Sequence, residues 1–269
     1  KIGDVTQWES LQRSMWHFYR RTEEDSAKAR EILSLLIKQG STISGVYAAS
    51  AIFETRQIMM GRTQNVDDTL QKALRNAQRS VEIDENSSLA RLSLSRVYSL
   101  QGKYDQALFE ANSCISQNPS SSVGHMNLGA VLVYGGRAQD SIQPLDKSIR
   151  LSPKGPMLNL KKVLKAFALY LLNDYSLVDQ LLLPVASSRY LSPFGNMFLA
   201  ATRAKNDRPK EARQALQEAL RLRPDFSQDW FRKYWRALAP DYRDRLLGDL
   251  ARAGLPERSA STDDSATTS

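Results

Sequence analysis

Two stretches of this chain match at a fixed offset of 34 residues, and that register constrains the fold more than any other feature. "LARLSLSRVYSLQGKYDQALFEANSCISQNP" runs from Leu89 to Pro119, and "VGHMNLGAVLVYGGRAQDSIQPLDKSIRLSP" from Val123 to Pro153. Leu94 falls on Leu128, Gly102 on Gly136, Ala107 on Ser141, Ile115 on Ile149 and Pro119 on Pro153. The same frame returns in "FGNMFLAATRAKNDRPKEARQALQEALRLRP", where Leu199, Ala212, Leu216, Ala219 and Pro224 take the matching slots. Between them, "LKAFALYLLNDYSLVDQLLLPVASS" is a degenerate copy, shifted by three residues. Its Pro184 predicts a kink or an early helix end. Two looser copies precede residue 88, the second with a longer loop around Gly61–Val66.

Each slot has a physical reason. Apolar residues recur at i, i+3, i+4 and i+7, the period of a helix with one buried face. Small residues (Ala107, Ser141, Ala212) let two antiparallel helices approach closely. Gly102 and Gly136 permit the left-handed residue that ends the first helix. Pro119, Pro153 and Pro224 stop the second helix. A single pair cannot bury its apolar face, so stacked pairs are the folding unit. After Pro224 the pattern changes to "DWFRKYWRALAPDYRDRLLGDLARAGLPE", read as two helices broken at Pro240. Trp230/Tyr234 and Phe231/Trp235 stand four residues apart, as a buried helix face requires.

Composition excludes several classes. No apolar run reaches the roughly 18–20 residues of a membrane span; the nearest, Val163 to Leu172, contains Lys165. No secretory leader pattern opens the chain. It starts at Lys1 rather than Met, which suggests a trimmed piece of something longer. The lone cysteine, Cys114, allows no internal disulfide framework and suits a reducing, cytoplasmic setting. The net charge is +8, and the basic excess is densest over residues 203–252, with 13 Lys/Arg against 8 Asp/Glu.

The 34-residue unit resembles the tetratricopeptide repeat over roughly residues 6–226. The opening "WESLQRSMWHFYRRTEEDSAKAREIL", the "NPSSSVGHMNLGAVLVYGGRAQDSIQPLDKSIRLSPKGP" core and the ending "LAATRAKNDRPKEARQALQEALRLRPDFSQDWFRKYW" are similar to the C-terminal region of bacterial class III adenylate/guanylate cyclases. Similar repeats also follow winged-helix domains in bacterial transcriptional regulators. The resemblance implies an all-α, right-handed superhelical solenoid of about six helix pairs with a two-helix C-terminal cap. Units are expected near 6–41, 43–86, 88–121, 122–155, 156–192 and 193–226, the cap over 227–255, and a disordered tail over 256–269.

The inventory of reactive groups is thin. There is no phosphate-binding Gly-rich loop, no HExxH and no G-x-S-x-G. His17 and His125 stand on different units and are read as structural. Glu23, Glu24 and Asp25 are explained by a helix N-terminus. Catalysis, cofactor and metal are therefore not expected in this chain, although the parent of a cyclase-like region would convert ATP to cAMP.

The resemblance places the first helix of each unit on a concave groove. Arg96, Met126, Val133, Tyr134, Phe167 and Tyr170 are the candidate partner-binding residues there, Met and aromatics being suited to adaptable recognition. The competing reading is that they pack against neighbouring helices. Arg96 and Ala130 stand where relatives that clamp a peptide carboxylate carry Asn, so no chaperone-tail reading follows. "WFRKYWR" is read as a cap rather than a base-stacking surface, because its aromatics have helical spacing and all four Trp lie in the end segments. The expected function is protein or peptide interaction, regulating or dimerising a cyclase domain. A winged-helix regulator and small-ligand sensing are the rival settings. No nucleic acid is expected as partner.

Overall fold

The structure is a computed structural model that describes residues 2–20, 22–186 and 192–259. Among them it has fourteen α-helices and no strand. They are α1 (Ile2–Arg20), α2 (Glu23–Lys38), α3 (Ser44–Met59), α4 (Val66–Ile83), α5 (Ser88–Leu100), α6 (Tyr104–Gln117) and α7 (Ser122–Tyr134). Then follow α8 (Ala138–Leu151), α9 (Leu158–Leu171), α10 (Tyr175–Ala186), α11 (Ser192–Lys205), α12 (Pro209–Leu222), α13 (Gln228–Tyr234) and α14 (Pro240–Ala253). The chain divides into two compact units, residues 1–131 and 132–269, with the boundary inside α7.

The turn inside five pairs, from α3–α4 to α11–α12, is built the same way. Gly61, Gly102 and Gly136 have φ of 61°, 73° and 85°. Asn173 and Asp207, at 66° and 50°, do the same task in later pairs without glycine. At each turn the following amide donates back to a carbonyl five residues earlier, as Lys103 N does to Tyr98 O at 2.9 Å and Arg208 N to Arg203 O at 2.9 Å. This closes the first helix and satisfies its orphan carbonyl. Asn and Asp tolerate the left-handed region better than other side chains, which is why the motif survives there.

In the unit 1–131, α3 packs on α2, α4 and α5, and α5 on α6. Leu11, Leu33, Leu36, Val46 and Tyr47 form one buried cluster. Arg56 of α3 ties to α1, donating to Phe18 O at 2.8 Å and lying 4.0 Å over the Phe18 ring. At the start of α2, Thr22 accepts the Asp25 amide at 3.0 Å, and Glu23, Glu24 and Asp25 fill the first turn. Charge at this end of the helix is favourable. The small-residue slots work as spacers: Ala107 is fully buried, and its carbonyl accepts from Ser95 at 2.8 Å.

In the unit 132–269, α9 packs on α8 and α10, and α11 on α10 and α12. Ser141 and Ala212 are fully buried. α8 carries Pro144 inside it, a break in the helix rule that the sequence reading passes over. Pro184 lies inside α10 (Tyr175–Ala186), and the residues that follow, 187–191, lie outside the described residues. Lys161 is 1% exposed and donates to Ser148 O at 3.0 Å and Ser152 O at 3.2 Å. Its ammonium thus caps carbonyls at the end of α8, and burial lowers its pKa.

Candidate functional site

The C-terminal helices are more than an end cap. Pro240 opens α14 at its first turn, as the sequence reading expects of the break there. Trp230 and Tyr234 have ring centroids 5.1 Å apart, and Phe231 and Trp235 5.4 Å, so the four-residue pairs do form. Phe226 and Trp230 close over Phe194 of α11, and Phe231 packs on Phe226 behind them. From Trp235 onward, however, the segment runs back along α11, α9 and the end of α7. These are the first helices of their pairs.

Trp235 is the anchor. Its indole lies parallel to Phe194 (centroids 6.0 Å, planes at 7°) and tilted against Phe167, Phe198 and Tyr134. Beyond it, donors meet the exposed ends of the first helices in succession. Ala239 N donates to Tyr134 O at 2.8 Å. The Tyr242 hydroxyl donates to Gly136 O at 2.9 Å. Arg245 donates to Leu171 O at 2.7 Å and Tyr170 O at 2.9 Å, with its guanidinium 4.9 Å over the Tyr170 ring. The last carbonyls of a helix lack intrahelical partners. Here the C-terminal segment supplies donors to those of α7 and α9.

Behind these donors is a buried polar pair. The Tyr170 hydroxyl donates to Asp249 Oδ2, and both side chains are inaccessible to solvent. Burial, then the bond to Asp249, holds the Tyr170 pKa far above its ordinary value, so the phenol stays protonated and donates. Arg252 lies 2.7 Å from the other Asp249 oxygen.

The six groove residues can now be placed. The sequence reading expects them open on a concave face, but Met126, Val133, Phe167 and Tyr170 are buried, at 2%, 0%, 1% and 0% exposure. Arg96 and Tyr134 are partly exposed. Tyr134, Phe167 and Tyr170 come together in the unit 132–269, under Trp235, Arg245 and Asp249. The physical reason is that the chain lays its own apolar segment on them. Helix periodicity reveals which face a residue stands on, not what later covers it. The sequence reading misses Trp235, Tyr242, Arg245 and Asp249 as members of this site. Tyr242, Arg245 and Asp249 recur at spacings of three and four, so they share one stripe of α14, and that signal is readable in the sequence.

Other candidates are structural or surface features. His17 Nδ1 lies 2.7 Å from Asp25 Oδ1, and His125 Nε2 3.0 Å from Pro119 O. Among the described residues no group of three or more His, Cys, Asp or Glu could hold a metal. No helix there is long and apolar enough to cross a membrane. Cys114 is buried, and burial pushes its thiol up to about 11. Trp230 and Trp235 are covered, but Trp8 and Trp16 are 53% and 55% exposed on α1, on one stripe with Val5 and Tyr19. Of the expected tail, Pro256 and Glu257 accept from the Gln228 and Asp229 amides, and 260–269 lie outside the described residues.

No family model and no curated protein matches the sequence. Solved structures do match. PilW, described as a widely conserved type IV pilus biogenesis factor, is 17% identical, with 76% of this chain and 88% of that chain covered at a TM-score of 0.56. TTC0263, a thermophilic tetratricopeptide-repeat protein of Thermus thermophilus, is 18% identical, covering 74% of this chain and 99% of that chain at 0.53. A chain of the Cut9–Hcn1 hetero-tetramer of the APC/C is 14% identical, covering 94% of this chain and 52% of that chain at 0.60.

Proposed function

With the all-α tetratricopeptide fold as premise, we propose that this chain is a non-catalytic interaction scaffold that binds a protein or peptide along the face formed by the first helices of its pairs. One observation carries the reading. In the unit 132–269 that face already holds a helix, through an aromatic seat and capped helix ends, so its chemistry is that of a helix-binding surface. Within residues 1–131 we assign Arg96 and Met126 to such a face, with Met126 buried and Arg96 partly exposed. Within residues 132–269 Val133, Phe167 and Tyr170 act as its floor, with Tyr134 at its accessible edge.

The setting we propose is regulatory, with the scaffold controlling or dimerising a class III cyclase domain in a bacterial cytoplasm. The sequence resemblance alone supports that setting. The cavity between α2, α3 and α4, lined by Arg30, Phe53, Glu54, Lys72 and Asn76, is ≈ 100 Å³, below the roughly 300–1,000 Å³ of a pocket for a drug-sized ligand.

The test is selection of random peptides displayed on phage against the purified chain. Arg96→Glu and Tyr134→Ala should each weaken the selected binders while the helical circular-dichroism signal is unchanged. Undiminished binding by both folded variants would overturn the assignment of the face.

A further inference from the structure

The segment seated on α7, α9 and α11, with α14 also packed on α12, belongs to the chain itself, and its attachment is part apolar and part polar. Trp235 supplies the apolar anchor. Leu238, Leu246, Leu247 and Leu250 are buried along the same segment. The polar part of the hold comes from Tyr242, Arg245 and Asp249, which meet backbone carbonyls and one phenol. A carboxylate buried between Tyr170 and Arg252 is a costly way to build a permanent core, because desolvation offsets most of the attraction. It is an effective way to specify register at a contact that opens. Two donors in this region, Trp230 Nε1 and Arg245 Nε, are buried without an acceptor in reach, which weakens the seated state.

Resting on the proposed binding face, we infer that residues 235–250 are an intrachain ligand, and that the external partner fitting this face is an amphipathic helix of the same chemistry. Such a partner carries an indole-type anchor followed by hydroxyl and guanidinium donors on one stripe. It competes with α14 for Tyr134, Phe167, Tyr170 and the ends of α7 and α9. Tethering gives α14 an effective concentration on the order of millimolar. The apparent affinity for an external helix is the intrinsic one reduced by the fraction of chains with the face open. Opening the latch tenfold more often therefore raises peptide affinity by about tenfold.

The experiment uses the full chain and a fluorescent peptide of residues 227–258, read by anisotropy, with hydrogen exchange of α14 followed in parallel. Two latch variants are compared with the wild type: Arg245→Ala and the milder Tyr242→Phe, which loses only one hydroxyl. The expected result is faster α14 exchange and peptide binding about tenfold tighter than to the wild type, lost when the peptide carries Trp235→Ala. If α14 exchange accelerates but the peptide does not bind, the inference fails, and the proposed face fails with it for this unit. If neither variant accelerates α14 exchange or gains peptide affinity, α14 is a fixed cap and the inference alone fails. The phage-selected binders test the proposed function without reference to α14.

Discussion

The Tyr170 hydroxyl donates a 2.5 Å hydrogen bond to Asp249 Oδ2, joining α9 to α14 across 79 residues of sequence. Both side chains are fully buried, so removing one partner strands the other. Tyr170→Phe leaves a buried carboxylate short of a donor and should cost about 1–3 kcal/mol in urea unfolding. The double variant Tyr170→Phe/Asp249→Leu should recover part of that loss, because the stranded charge is gone. Additive losses would show that the two groups do not act as a pair.

Trp235 touches rings from α7, α9, α11 and α13. Trp235→Ala should destabilise the chain by about 3–5 kcal/mol, in the range for deleting a large buried aromatic. Trp235→Phe should cost clearly less. The check is the unfolding midpoint followed at 222 nm, with a loss for the Ala variant no greater than for the Phe variant counting against the seat.

How far this arrangement is readable in the sequence depends on distance along the chain. The turn at Gly102 or Gly136 follows from a local rule: a left-handed residue is needed, and glycine supplies it. Ala107 and Ser141 are equally legible, because close helix approach demands small side chains at the crossing. Asn173 and Asp207 take the glycine's place less visibly, and the register survives through them. The candidate face is legible as a face and illegible as a surface. Phe167 and Tyr170 stand on α9, the first helix of its pair, and their cover comes from Trp235 and Asp249, some 70–80 residues on. No periodicity within one repeat carries that pairing.

At the other end, Asp25 accepts a hydrogen bond from the Thr22 hydroxyl, with His17 and Arg20 beside it. The Thr22 bond first, then His17, holds its carboxyl below the ordinary 3.8. A folded pKa below the unfolded one means that the contribution is fully present above about pH 4 and is lost as pH falls through the folded value. Asp25→Asn should therefore lower Tm at neutral pH, and the difference from the wild type should shrink below pH 4. A difference constant from pH 7 to pH 2.5 would contradict the role given to the carboxylate.

The four tryptophans divide by environment. Trp8 and Trp16 stand open on α1, with Arg20 4.5 Å over the Trp16 ring, while Trp230 and Trp235 are covered. Acrylamide should quench the Trp8→Phe/Trp16→Phe double variant much less steeply than the wild type, and its emission should be blue-shifted. Equal quenching would place the N-terminal indoles in a contact that the structure does not contain.

The measurement closest to the central claim is hydrogen exchange of the full chain with and without a saturating phage-selected peptide. Binding along the first helices should slow amides in α3, α5, α7, α9 or α11 and leave α2, α4, α6, α8, α10 and α12 unchanged. Protection confined to that second set would contradict the account, because it would put the partner on the opposite face of the repeats.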